Sequence, residues 1–211
     1  MRVRSAEIAG GIVTALVALV ALFPLALALP MFGLDDMITA RRASGSVWSG
    51  TLDDARIGGM PAGRVAVRLN FFPLFVGRAR IDLSNVEGVG AISAWPGGRG
   101  IDDVTASLPL AAIAGQIPVD RLVLEDATVH FSGTRCARAD GRVRLAMRYP
   151  LGDAQVTPVL SGTLRCDGDA AMARLTDAGG TVALTLRLTS DGAYAGRLSG
   201  LGVSMRVGGR L

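Results

Sequence analysis

Alternation of apolar and polar residues dominates residues 45–211 and limits what this part of the chain can fold into. Successive side chains of a strand point to opposite faces, so a period of two predicts a sheet with one buried face. The clearest segments are Val65, Val67 and Leu69; Ile81 and Leu83; Val143, Leu145 and Met147; and Val182, Leu184, Leu186 and Leu188. Arg, Asp and Thr are common at the positions between them, which predicts a solvated second face.

Turn signals separate these segments, often about a dozen residues apart. They are Asp53-Asp54, residues 58–63, Pro96-Gly97-Gly98, Asp140-Gly141, Asp167-Gly168, Gly179-Gly180 and Asp191-Gly192. The spacing predicts hairpins joined in sequence, with about ten to twelve short antiparallel strands. The predicted fold is therefore all-β, a strongly twisted, mostly antiparallel sheet. A lone flat sheet would leave its apolar face exposed to water, so the sheet must be curved, stacked or closed. It could be a curved open sheet or a sandwich or barrel.

Three segments depart from this pattern. Residues 35–42, with Asp35 as a cap, and residues 108–116 are predicted to form short helices. Between Leu124 and Ala127 the alternation changes parity. Such a change predicts a β-bulge near Glu125-Asp126.

An uncharged apolar run covers residues 8–29 and follows two arginines, Arg2 and Arg4. As a helix it would be about 33 Å long, enough to span a bilayer. The arginines predict a cytoplasmic tail at residues 1–7, a transmembrane anchor at 8–30, a linker or short helix at 31–44, and an exterior β domain at 45–211. A cleaved signal peptide ending at Ala26-Leu27-Ala28 is the alternative, although the run is long for one.

The only two cysteines, Cys136 and Cys166, each follow a similar Ser-Gly-Thr phrase. Similar phrases on adjacent strands would bring the two sulfur atoms together, and an exterior domain favours a disulfide between them. Two buried free thiols are the alternative. A metal site is disfavoured because the chain has one histidine and no cluster of ligands.

Candidate chemical groups do not assemble into a catalytic pattern. His130 alternates with Val129 and Phe131, which predicts an ordinary surface residue without a nucleophile beside it. Asp53-Asp54, Asp102-Asp103 and Glu125-Asp126 are predicted to be solvated turns or element ends, because neighbouring strand residues face opposite ways. We therefore expect no catalytic, cofactor-binding or metal-binding residues and no enzyme. The 22 basic and 18 acidic residues are too balanced for a nucleic-acid binder.

Two phrases resemble those of a known family. The segment Gly45-Ser46-Val47-Trp48-Ser49-Gly50-Thr51-Leu52 resembles the G-x-[VL]-W-x-G signature of type II secretion system protein N, also called general secretion pathway protein N. The segment from residue 69 to 78 resembles its second phrase, with Pro73, Gly77 and Arg78 in place. Phe71 or Phe72 stands where that family usually has tryptophan. The cysteine pair also fits the family.

The resemblance implies a non-enzymatic accessory subunit in the bacterial inner membrane, single-pass, with its C-terminal domain periplasmic. Such a subunit supports export of folded proteins across the outer membrane, and its partners would be inner-membrane platform subunits and, through the anchor helix, membrane lipid. Trp48 is then expected to bury its ring at the membrane-near end of the sheet, while Gly50 lets a chain pass closely. A ligand-binding role for Trp48 is the alternative.

Two other functions remain open from the sequence. An AsmA-like periplasmic protein would bind lipid or another hydrophobic ligand in a groove of the sheet, lined by small residues. A periplasmic chaperone or assembly factor for the secretion channel is not separable from a scaffold by sequence.

Overall fold

The computed structural model describes residues 11, 18, 22–27, 38–57, 60–109, 119–147, 149–151, 154–156, 158–200 and 203–210. Most of the predicted anchor at residues 8–30 lies outside these ranges, as do residues 35–37 and 110–116 of the two predicted short helices. Within the described ranges, no helix combines the length and the apolar character needed to cross a membrane.

The chain divides into two compact units, Met1–Phe71 and Phe72–Leu211. The described residues of the first unit form four strands: β1 (Ile38–Thr39), β2 (Arg42–Ser46), β3 (Ser49–Ile57) and β4 (Met60–Leu69). β3 pairs antiparallel with β4 on one side and with β1 and β2 on the other. The predicted helix at residues 35–42 is therefore wrong where it is described, because pairing with β3 holds these residues extended.

The second unit is an antiparallel meander. A short helix, α1 (Phe71–Leu74), spans the boundary between the units. The strands are β5 (Ala79–Asn85), β6 (Gly88–Trp95), β7 (Gly98–Pro109), β8 (Val119–Ser132), β9 (Arg135–Met147), β10 (Tyr149–Leu151), β11 (Ala154–Val156), β12 (Val159–Asp167), β13 (Ala170–Thr176), β14 (Val182–Thr189), β15 (Ala193–Gly200) and β16 (Val203–Arg210). Because Leu108 and Pro109 end β7, the second predicted helix is wrong at those two residues.

Sheet order in this unit follows the chain from β5 to β9 and from β12 to β16, with β9 beside β12. β10 and β11 form a separate two-stranded ribbon. The order does not return to β5, so the sheet is open within the part of the chain that the structure describes. The predicted all-β antiparallel class is confirmed. Fourteen described strands, β3 to β16, lie wholly within residues 45–211, where ten to twelve were predicted.

Several register shifts interrupt the described ladders, and three of them fall on pairs of acidic residues. Between Glu125 and Thr128, β8 advances three residues while β9 advances two, which confirms the bulge predicted near Glu125-Asp126. The same extra residue occurs at Asp53-Asp54 in β3 and at Asp102-Asp103 in β7. The second acidic residue of each pair has a positive φ, of 52° at Asp54, 51° at Asp103 and 51° at Asp126.

Aspartate suits these positions because its short polar side chain tolerates the left-handed region better than most residues. Two predicted turns are therefore wrong. Asp53-Asp54 lies inside β3, and Asp140-Gly141 lies inside β9, opposite the bulge at Asp126. Turns and bulges both favour residues that accept positive φ, so composition alone does not separate them.

The apolar face of the second unit is filled by its own side chains. The predicted alternation is confirmed at Val143, Leu145 and Met147, which are buried together with Leu160 and Leu175. Leu160 and Leu175 have no exposed surface. Neighbouring strands of the twisted sheet thus cover each other's apolar side chains.

A disulfide joins Cys136 on β9 to Cys166 on β12, as predicted, with 5.5 Å between the Cα atoms. Backbone pairing of the two strands stops at Arg142 and Thr163, so the disulfide links them beyond the last paired residues. The Cys136 amide also donates to the Gly168 carbonyl oxygen at 3.3 Å. The bond therefore holds the β9 and β12–β13 ends together.

We expect replacement of both Cys136 and Cys166 by alanine to lower the free energy of unfolding by about 3 to 4 kcal/mol, from the entropy of a loop of this length. Urea unfolding of the purified chain measures the loss. A reducing agent added to the unmodified protein should produce the same shift and leave the double variant unchanged. An unaltered unfolding midpoint would contradict the prediction.

Gly141 faces the bulge of β8 closely. A Cβ atom there would lie 2.6 Å from the Cα of Ala127 and 2.7 Å from the carbonyl oxygen of Asp126, at a φ of 113°. Gly141→Ala should therefore destabilise the protein more than Gly168→Ala, which has a φ of 63° and open space around its Cβ. We expect a difference of about 2 kcal/mol in urea unfolding. Equal losses would mean that backbone conformation alone matters.

Candidate functional site

The first family-like phrase forms a hairpin with its turn. β2 ends at Ser46, β3 begins at Ser49, and Val47 and Trp48 form the turn. Val47 is the buried residue of the turn, while Trp48 is half-buried and packs edge-on against Phe71, with 5.7 Å between ring centroids. Trp48 thus contributes to packing at the hairpin end.

The two glycines of this phrase face each other across the hairpin. Gly45 pairs with Gly50. A Cβ on Gly45 would lie 2.9 Å from the Gly50 Cα, and a Cβ on Gly50 would lie 2.7 Å from the Leu25 side chain. The close passage expected at Gly50 is present, and the segment that passes it is the end of the apolar run.

The second phrase forms α1 and its termination. The Gly77 amide donates to the Leu74 carbonyl oxygen at 3.0 Å, and the Arg78 amide donates to that of Pro73 at 3.0 Å. Gly77 has a φ of 72°. These two hydrogen bonds with a left-handed glycine are a Schellman motif, which ends a helix and sets the direction of the following chain.

Arg78 then enters a group of polar side chains, here called the Asp102 cluster: Arg78, Ser93, Trp95, Asp102 and His130. Asp102 Oδ1 accepts from Arg78 Nη2 at 2.7 Å and lies 2.7 Å from His130 Nε2. Ser93 Oγ donates to the other oxygen, Oδ2, and accepts from Arg78 Nη2 at 2.9 Å. Strands β6, β7 and β8 and the residue before β5 thus meet at one carboxylate.

Burial opposes ionisation and by itself raises the pKa of Asp102. The hydrogen bonds from Ser93, His130 and Arg78 outweigh it, so the pKa lies below its ordinary value. Asp102 is therefore a carboxylate, and the His130 Nε2 that faces it acts as a donor. The Asp102 side chain is only 7% exposed. A buried carboxylate is tolerated only when such partners satisfy it.

Trp95 covers the cluster. Its ring lies 5.2 Å from the Arg78 guanidinium carbon, and it meets the His130 ring edge-on with 5.2 Å between centroids. The His130 side chain is consequently only 14% exposed. The prediction of an ordinary surface histidine is wrong. Alternation does separate His130 from its buried neighbours Val129 and Phe131, but residues distant in sequence cover that face.

The arrangement is suited to holding structure rather than to nucleophilic chemistry. The Ser93 hydroxyl donates a hydrogen bond to Asp102, and His130 Nε2 donates to the same carboxylate, so His130 is not arranged as a base for Ser93. A carboxylate with a lowered pKa and three donors is a weak base. Among the described residues, no group of three or more histidine, cysteine or acidic side chains could hold a metal ion.

Sequence analysis missed Ser93, Trp95 and Asp102 as cluster members. A signal exists in the repeated phrase of one aliphatic, two acidic and one further aliphatic residue: LDDA from residue 52, IDDV from 101 and LEDA from 124. In each phrase the first acidic side chain pairs with an arginine. The pairs are Asp53 with Arg64, Asp102 with Arg78, and Glu125 with Arg144.

Comparison with known families agrees with both phrases. The family described as Type II secretion system (T2SS), protein N matches residues 36–208. The chain belongs to the type II secretion system protein N family. No curated protein and no solved structure matches it. The family match confirms the family that the two phrases indicated. Its members are accessory subunits of type II secretion that work with other components of that system.

In this protein N chain the second phrase therefore has a structural explanation. Gly77 terminates α1, and Arg78 attaches the end of α1 to the buried carboxylate of Asp102. The matched region contains the Asp102 cluster and the disulfide.

We expect Asp102→Asn to lower the free energy of unfolding at pH 7 by about 2 kcal/mol, because Arg78 loses its carboxylate partner. The folded-state pKa of Asp102 is lowered, so its stabilisation is complete above the unfolded pKa near 3.8 and is lost as pH falls through the folded value. The difference between the variant and the unmodified protein should therefore shrink below about pH 4. Urea unfolding between pH 7 and pH 3 measures it.

Asp103→Asn is the matched control for this prediction. The neighbouring Asp103 side chain is 72% exposed and pairs with Arg80 at 3.2 Å. Asparagine also tolerates its positive φ. Its loss should stay below about 0.5 kcal/mol. Similar losses for the two variants would contradict the special role of Asp102.

Proposed function

We propose that this protein is a non-enzymatic accessory subunit of the type II secretion system in the bacterial inner membrane. An N-terminal anchor at residues 8–30 would leave residues 1–7 cytoplasmic and the β domain at 45–211 periplasmic. The subunit would act as a scaffold that supports export of folded proteins across the outer membrane. The match of residues 36–208 to the protein N family is the observation that carries this proposal.

Two structural features support an exported scaffold. The disulfide between Cys136 and Cys166 suits an oxidising compartment such as the periplasm. The most organised polar group, the Asp102 cluster, uses its hydrogen bonds to join strands and to hold Arg78. Both features fit a protein whose role depends on its shape.

The platform subunits of the inner membrane are the proposed partners, and a sheet edge is the proposed contact. Among the described strands, β16 pairs with β15 alone. An edge strand offers backbone donors and acceptors to a strand of a partner. Addition of a partner strand to β16 would join the subunit to the platform without a dedicated pocket.

The filled apolar face favours this scaffold over the AsmA-like carrier of lipid or another hydrophobic ligand. Leu160 and Leu175 are fully buried by neighbouring side chains of the sheet. Mass spectrometry of the gently extracted protein tests the carrier directly. A stoichiometric lipid that survives purification would favour the carrier instead.

Deletion of the gene should reduce the amount of exported protein in the culture medium and leave it in the periplasm. Expression of the unmodified chain should restore export. After mild crosslinking, the inner-membrane platform subunits should copurify with the protein. Unchanged export together with clean absence of those subunits would overturn the proposal, whereas reduced export without copurification would favour a chaperone or assembly factor.

A further inference from the structure

The end of the apolar run is attached to the first unit beside the start of α1. The Val47 amide donates to the Phe23 carbonyl oxygen at 3.0 Å, and the Leu69 amide donates to the Val47 carbonyl oxygen at 2.9 Å. Pro24 forms a β-bridge with Ser46, and Leu25 is buried. Val47 therefore links the end of the apolar run to Leu69 through its two backbone hydrogen bonds. Leu69 lies two positions before the start of α1.

This attachment shortens the part of the run that is available to cross a bilayer. With Phe23 to Leu25 bound to the hairpin, the part of the uncharged run that precedes them is residues 8–22. As a helix they would span about 22 Å, less than the roughly 30 Å of a hydrocarbon core. A short span draws the neighbouring protein surface toward the membrane, so that surface must be able to enter the interface.

The surface carried by α1 is apolar and exposed. No charged residue occurs from position 69 to 77. The exposed fractions are 84% for Phe72, 74% for Phe75 and 82% for Val76. Seven of the eleven large hydrophobic residues exposed in the described ranges lie at positions 22–27 or 71–76, so exposure is concentrated at these two segments.

We propose that residues 71–76 insert into the outer leaflet of the same bilayer that holds the apolar run. This inference rests on the proposed membrane anchor. Projecting phenylalanines beside a tryptophan are suited to the boundary between headgroups and acyl chains. The surface of a few projecting side chains is also smaller than the roughly 800 Å² that each partner buries in a stable protein interface.

The α1 segment is held as a fixed projection on its C-terminal side. The Schellman motif at Gly77 ends α1, and the ion pair of Arg78 with the buried Asp102 secures the residue that follows. Lipid can then receive the side chains without the cost of ordering the loop. The Asp102 cluster thus acts as the base of a membrane-inserting loop.

Fluorescence quenching by lipid tests the insertion in the full chain. The protein is reconstituted into phosphatidylethanolamine and phosphatidylglycerol vesicles that contain acyl-brominated lipid. Phe72→Trp is made in a background where phenylalanine replaces Trp48 and Trp95. Its emission should shift to the blue and be strongly quenched by the brominated lipid.

Val86→Trp in the same background is the matched control. Val86 is fully exposed in the turn between β5 and β6, so its tryptophan should emit as in water and escape quenching. A second measurement needs no change to either tryptophan. Brominated lipid should quench part of the emission of the unmodified chain through Trp48, and Phe72→Asp combined with Phe75→Asp should remove most of that quenching.

Three results would overturn the inference. Red, unquenched emission from Phe72→Trp places the loop in water, and blue but unquenched emission places it against protein. A chain that washes off the vesicles is not anchored in the bilayer, and the inference then loses the membrane anchor on which it rests. Lipid quenching combined with unimpaired export in the deletion strain would instead sustain the insertion and defeat the proposed secretion role.

Discussion

The hydrogen bonds to the Asp102 carboxylate organise the part of the second unit that follows α1. A buried negative charge is costly unless it is fully paired, and here the partners come from β6, β8 and the residue before β5. Satisfying one charge therefore fixes the side chains of Ser93 and His130 and the path of the chain at Arg78. Since Arg78 directly follows the left-handed Gly77, the same carboxylate also holds the chain that follows α1.

A bulge in β7 lies at this carboxylate. An extra residue at Asp102-Asp103 changes the direction of the strand, and the Asp103 amide finds a new acceptor in Thr128 Oγ1 at 3.1 Å. Equivalent acidic pairs produce bulges in β3 and β8. At each of the three bulges the first acidic residue pairs with an arginine, and strand pairing continues beyond the bulge.

Sequence reasoning was reliable where the signal is local. Val143, Leu145 and Met147 are buried because the period of a strand is read from adjacent residues. The bulge at Glu125-Asp126 was predicted because apolar residues on both sides reveal the change of parity. At Asp102-Asp103 the same device was taken for solvated residues at a turn or strand end, since an acidic pair suits that setting as well as a bulge.

The candidate site was less predictable because its members are distant in sequence. Arg78 and His130 are 52 positions apart, and no periodicity connects them. The phrase containing Gly77 and Arg78 indicated the family, yet it carried no sign that the arginine would meet a buried carboxylate. Trp48 was expected to bury its ring in the sheet, but the pairing of Gly45 with Gly50 places it in a turn, where it is half-buried.

The sequence by itself determined the family, the antiparallel strands and the pair of cysteines able to form a disulfide. These follow from short motifs and from a two-residue period, which act between near neighbours. Only the tertiary structure decided that His130 is covered, that Asp102 is the shared acceptor, and that the end of the apolar run pairs with the hairpin at Ser46 and Val47. Each of these depends on strand register, which brings distant residues together and which a single strand pattern does not specify.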